Sequence, residues 1–172
     1  TGQAQRGLQV EATPAVPILI AAQLGLVDAP SVDRYGSTEL NAAFGGLIAW
    51  IAIAFAVVLI ATVLVQQLRG KLGTIPGPDV ALAVILIFVA FNRVNSSQFF
   101  VWVAAVGSVV LLNRQSRMAV PVLLSLLSML PINQYLGSFY WALQAQTIEA
   151  VVLQIIRALL VLASALTAWW FV

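Results

Sequence analysis

The polar run Asn92-Arg93-Val94-Asn95-Ser96-Ser97-Gln98 interrupts an otherwise apolar stretch from Val80 to Leu112, and it places an arginine where hydrocarbon would penalise one. Two other places combine residue types that could do chemistry. Arg6, Gln9 and Glu11 crowd the first eleven residues, and Arg157 stands ten residues into the last apolar run, Thr147 to Val172. The chain has no His, the commonest general base and metal ligand. It has no Cys, and so no thiol nucleophile, redox centre or disulfide framework. Proton transfer and ligand recognition must therefore fall to Asp, Glu, Arg, Lys and hydroxyls. No metal site and no cofactor are evident.

What positions Arg93 follows from lengths. Its flanks, Val80 to Phe91 and Phe99 to Leu112, have twelve and fourteen residues. As helices they would be about 18 and 21 Å long, each too short to cross a hydrocarbon layer of about 30 Å. The two flanks predict a helical hairpin whose polar apex dips below the membrane surface. Irregular polar backbone is tolerated at that depth only where it lines a protein cavity or a water-filled site, which marks the apex as a candidate site.

The remaining elements come from the same reading. Leu47 to Val65 is nineteen residues without a charge, about 28 Å of helix. It is closed by Gln66, Gln67, Arg69 and Lys71 and the breakers from Gly73 to Pro78. Asn113 to Arg117 forms a loop, Met118 to Leu130 a further span ended by Pro131, and Ile132 to Gln146 an interfacial segment rich in aromatics. Ala15 to Val27, with Pro14 and Pro17 at its start, predicts a short re-entrant or interface-lying helix. The expected fold class is all-α: a polytopic transmembrane bundle of about five spans plus that short helix. Residues 1–46 would form an extracytoplasmic loop and 47–172 the bundle, with no separate soluble domain. Continuous apolar runs, without period-two alternation, speak against a membrane β-barrel.

Composition requires lipid as the solvent. Hydrophobic residues make up 62% of the 172 residues and charged ones 8%, too few to clothe a water-facing surface. A net charge of +2 is too small and scattered for nucleic acid. The bilayer is thus the first expected partner, and a multi-pass place in the cell membrane the expected localisation. Arg69/Lys71 and Arg114/Arg117 fall on one side of five sequential crossings, which predicts that side as cytoplasmic and puts Arg93 on the opposite, extracytoplasmic side. The start at Thr1 and the stop within an apolar run predict the C-terminal portion of something larger, with the upstream half of the same protein as a partner.

Three stretches resemble one family, the polyprenyl-phosphate-sugar-dependent glycosyltransferases of the GT-C fold, closest to glycosyltransferase family 87, which includes mannosyltransferases. Arg6-Gly7-Leu8-Gln9-Val10-Glu11 resembles the family's Arg-Gly-Leu-Gln-(Ile/Val)-Glu signature. Arg93 to Phe100, followed by Trp102, is similar to its Lys-Val-Leu-Ser-Pro-Gln-Tyr run ahead of a Leu/Trp-rich helix. Tyr135 to Trp141 and Ile155 to Leu160 resemble its aromatic segment and arginine-bearing last helix. Order and spacing match along nearly the whole chain. The departures lie at the apex: Arg93 stands for Lys, Asn92 for Gly, Asn95 for an apolar residue and Ser97 for Pro.

The resemblance implies transfer of a hexose, mannose first among candidates, from a polyprenyl-phosphate donor to an acceptor hydroxyl on the extracytoplasmic side, with inversion at the anomeric carbon. A carboxylate would take the acceptor proton and cations would stabilise the departing phosphate. The family's catalytic acid lies in an early extracytoplasmic loop, so no catalytic residue is expected in this chain, which alone would be inactive. Arg93 suits the phosphate, since guanidinium pairs with it through a bidentate fork; its competing role is an interfacial anchor reaching to headgroups. Arg6 and Glu11 would bind donor phosphate and acceptor hydroxyls, against the alternative of an exposed loop ion pair. Gln9, Ser96 and Gln98 complete the expected substrate-binding set, although a buried amide can equally serve backbone groups. Arg157 reads first as a structural partner to a neighbouring helix and second as a lipid-phosphate ligand. Two other classes remain open on the residues alone: half of a transporter or flippase with a broken-helix site at 92–98, or a non-catalytic membrane subunit.

Overall fold

A computed structural model describes residues 7–34, 36–71, 73, 75–95, 98–130 and 138–172. Arg6, Ser96, Ser97 and Tyr135 lie outside the described residues. The chain is mostly helical. After a 3-10 turn at Thr13–Ala15 come α1 (Val16–Gln23), α2 (Gly45–Leu68), α3 (Gly77–Phe91), α4 (Gln98–Leu112), α5 (Ala119–Leu127), α6 (Ser138–Gln144) and α7 (Ile148–Phe171).

Two of these, α2 and α7, are long and apolar enough to cross a membrane, with mean hydropathies of 2.9 and 2.1. Twenty-four residues give each about 36 Å of length. The packing of α2 inverts the rule for a water-soluble helix. Its buried stripe carries small residues, Gly45, Ala49, Ala52 and Ala56, whereas Trp50, Ile51, Phe55 and Val58 face outward. Small residues let helix backbones approach closely where lipid, as apolar as leucine, offers no hydrophobic drive between helices. The α4–α5 contact works the same way: a Cβ on Gly107 would sit 3.3 Å from both Val122 methyls.

α3 and α4, fifteen residues each and about 22 Å long, pack on one another around the 92–97 break. Phe88 and Phe99 meet edge to face at 5.6 Å across that turn. These bounds lie within three residues of those expected. The last helix also agrees, with Thr147 as N-cap accepting from the Ala150 N–H. α7 is the hub, packed against α3 and α5. Its Ser164 hydroxyl donates to the Pro121 carbonyl, and Trp169 Nε1 donates to Thr62 Oγ1 of α2.

Three expectations change. The span placed at Met118–Leu130 is only the nine-residue α5, about 13 Å, so a five-span bundle does not follow. Its Ser125 and Ser128 hydroxyls bond back to the Val122 and Ser125 carbonyls, local bonds that compete with continued helix. The short N-terminal helix is shorter than its apolar run suggested, eight residues after the 3-10 turn. The all-α expectation must also admit a three-stranded antiparallel sheet, β1 (Leu8–Gln9), β2 (Ser31–Arg34) and β3 (Ser37–Leu40), in the order β1-β3-β2. Gly36, at φ +75°, supplies the left-handed turn between β2 and β3.

The sheet is bolted to the helices by polar contacts. The Thr38 hydroxyl donates to Asp33 Oδ1 at 2.5 Å and also meets the Tyr140 hydroxyl of α6, while Gln144 Nε2 donates to both Asp33 oxygens at 3.1 Å. Gln146, left-handed at φ +53°, closes the α6–α7 turn and donates to the Ala29 carbonyl at 2.7 Å. Beneath lies a core of Leu8, Val10, Leu19, Phe139 and Leu143, separate from the larger core between the helices.

Candidate functional site

β1 runs directly over the apex of the α3–α4 hairpin. The Gln9 N–H donates to the Arg93 carbonyl at 3.0 Å, and Gln9 Oε1 accepts from the Asn95 N–H at 2.9 Å. The Gln9 amide also reaches Glu11 Oε2 at 3.4 Å. Gln9 therefore clamps the broken backbone between the two helices, which supplies the partners that irregular backbone needs when water is excluded. Arg93 is half-buried at the apex, and Asn95 is 1% exposed with its Oδ1 unbonded.

From the opposite side comes α7. Gln154 and Arg157, three residues apart and so on one helix face, both point at the turn after β1. Gln154 Nε2 donates to the Glu11 carbonyl at 2.8 Å; Arg157 Nη1 donates to the same carbonyl at 3.1 Å and to Gln154 Oε1 at 3.2 Å. The guanidinium carbon lies 5.7 Å from the centre of the Phe100 ring. Arg157 is only 1% exposed, yet its Nε and Nη2 have no hydrogen-bond partner. Such an edge could grip a phosphate or carboxylate in a bidentate fork, but here it is enclosed, so Arg157 acts on its surroundings through its charge.

Burial raises the Glu11 carboxyl above its ordinary value, and the nearby Arg157 charge offsets part of the rise. The sign of its effect on stability follows. A carboxyl whose folded-state value exceeds its unfolded value favours folding most when protonated, and that stabilisation is lost as pH climbs from the unfolded value to the raised one. Glu11→Gln should flatten this part of the profile and leave the variant the more stable form at neutral pH. Thermal unfolding of the detergent-solubilised chain from pH 4 to 8 measures it; a wild-type curve that rises with pH, or parallel curves, would contradict the assignment.

The expected site residues thus divide. Gln9, Glu11 and Arg93 meet, whereas Gln98 is exposed at the start of α4 and no hydrogen bond ties it to the cluster; Arg6 and Ser96 lie outside the described residues. Arg157 stands over Phe100 of the neighbouring α4, and it also finds a partner in the loop after β1, the Glu11 carbonyl. Asn95 and Gln154 went unread as site residues, although Gln154 carried a signal: with Arg157 it forms the polar i, i+3 pair inside an apolar helix. Trp141 is exposed and stands outside this cluster. Among the described residues no group of three His, Cys, Asp or Glu side chains converges on a metal position.

Fold and site together describe a mostly helical chain with two helices suited to crossing a membrane and a small sheet sealing a buried polar cluster at one end of its bundle. No protein family, no curated protein and no solved structure matches this chain.

Proposed function

We propose that this chain is part of a multi-pass membrane glycosyltransferase and helps to form its donor site, where a hexose, mannose first among candidates, passes from a polyprenyl phosphate to an acceptor hydroxyl on the extracytoplasmic side. One observation carries the reading. Gln9 to Glu11, Arg93 to Asn95 and Gln154 to Arg157 are far apart in sequence, yet they meet in one buried cluster that contains an arginine with a free hydrogen-bonding edge. Apart from the aromatic segment Tyr135 to Trp141, each stretch on which the resemblance to GT-C glycosyltransferases rests contributes to this cluster.

The acceptor oxygen attacks the anomeric carbon, the bond from that carbon to the phosphate oxygen breaks, and polyprenyl phosphate departs with the electron pair. Arg93 pairs with the phosphate as its charge grows and the enclosed Arg157 adds its field from behind, both more strongly than they would in water because the site is partly dehydrated. The acceptor proton goes to a carboxylate supplied from elsewhere in the protein, as the resemblance implies.

Sealed right-side-out vesicles holding the intact protein provide the test. A photoreactive, short-chain prenyl-phosphate mannose added outside should crosslink beside Arg93 and Arg157. Crosslinking only after permeabilisation would reverse the sidedness, and none in either state would sink the reading.

A further inference from the structure

Glu39 is 5% exposed, and its Oε1 is buried without a hydrogen-bond partner. Among the described residues nothing donates to that oxygen. A carboxylate removed from water and left unpaired is costly, so its surroundings must be suited to something that satisfies it. Those surroundings are a cavity of about 170 Å³ at the sheet, and neither Arg93 nor Arg157 lines it. Glu39 lines it together with Arg34, Asn41, Gly7 and the first residues of α2, Gly45 and Gly46.

The electrostatics of this cavity narrow its occupant. At the N-terminus of α2 the Gly45 N–H is taken by the Ala42 carbonyl at 3.0 Å, which leaves the Gly46 N–H without an intrahelical partner, and no side chain caps it. That end of the helix carries a positive partial charge, and Arg34 at the rim adds a full one; both disfavour a cation. Glu39 repels an anion. A neutral ligand with several hydroxyls meets both demands, donating to Glu39 and accepting from the Gly46 N–H and the Asn41 side-chain amide. The glycines serve close approach: a Cβ on Gly46 would meet nothing within 4 Å, so the backbone there is open to a ligand. A Cβ on Gly7 would lie 2.8 Å from Glu39 Oε2 and displace the carboxylate.

We propose that the cavity between Glu39, Asn41 and the N-terminus of α2 is a binding site for a neutral, polyhydroxylated ligand of the monosaccharide class. The site stands apart from the lipid-phosphate reading, because its chemistry needs neither arginine of the buried cluster.

The experiment is a titration of the intact chain in nanodiscs, with no lipid-phosphate sugar present, followed by saturation-transfer-difference NMR and calorimetry. The probes are the methyl pyranosides of mannose, glucose and galactose, with glucosamine and glucuronate as charged comparisons. At least one neutral pyranoside should bind in preference to both charged sugars. Glu39→Ala should weaken it by about tenfold or more, the loss expected for a hydrogen bond to a charged group. Gly46→Leu fills the open space at the helix start without a clash and should abolish binding while the thermal unfolding curve is unchanged. The inference is overturned if no neutral pyranoside binds, if a charged sugar binds better, or if both variants bind as the wild type does. Since no lipid donor is present, failure here leaves the arginine-cluster reading untouched, and failed donor crosslinking leaves this site untouched.

Discussion

Arg93→Ala should cost about 2–5 kcal/mol in donor affinity or turnover, roughly 30- to 4,000-fold, when introduced into the intact membrane protein. The estimate is that for removing one partner of a buried charge interaction. Arg93 stands in the break between two fifteen-residue helices, and its backbone is fixed independently of its side chain, because the Gln9 N–H bonds its carbonyl at 3.0 Å. The alanine variant keeps that bond, and thermal unfolding measured beside the kinetics separates a loss of folding from a loss on the ligand. Arg93→Lys should be milder, since the charge remains and only the planar fork is lost. Normal expression with unchanged kinetics toward a polyprenyl-phosphate sugar would reduce Arg93 to an interfacial anchor.

Arg157→Met is the second large effect, and it acts first on stability. Arg157 is enclosed on all sides, holds the Glu11 carbonyl and the Gln154 amide, and stands over Phe100. Removing it takes the donor from the Glu11 carbonyl and the nearby positive charge from the Glu11 carboxyl, a loss of about 2–3 kcal/mol for a buried hydrogen bond to a charged group. The double variant Arg157→Met/Glu11→Gln should recover part of that loss, because no carboxylate then remains without its cation. A double-mutant cycle on thermal unfolding in detergent measures the coupling. Additive changes would mean that Arg157 and Glu11 do not act on each other, and the cluster would have to be redrawn around Gln154 alone.

The two variants also separate what a local reading can reach from what it cannot. Arg93 was found without any tertiary information, because helix lengths and the cost of polar backbone in lipid already singled out the apex. Arg157 is visible as an anomaly, a charge inside a span with a partner expected on another helix, and Phe100 of α4 supplies one; its hydrogen bond to a loop is not legible in the sequence. The loop carbonyl it holds lies 146 residues away. Glu39 gave no signal at all, since a glutamate in a polar stretch reads as solvated. The sheet was missed for a similar reason. Its strands are two to four residues long, and Ser-Val-Asp-Arg and Ser-Thr-Glu-Leu have no alternation long enough to count as a pattern.

Runs of apolar residues and the breakers between them determined, by sequence alone, that most of this chain is helical, that α2 and α7 are long and apolar enough to cross a membrane, and where α2, α3, α4 and α7 begin and end to within three residues. Those features depend on neighbours within a turn or two of helix and on the length of a hydrophobic run, which are local quantities. The shortness of α5, the pairing of Leu8 and Gln9 with β3, the clamp of Gln9 on the apex and the meeting of Glu11 with Arg157 were decided only by the tertiary structure. Each of them depends on which distant backbone and side-chain groups are left to satisfy one another once the helices have packed and water has been excluded.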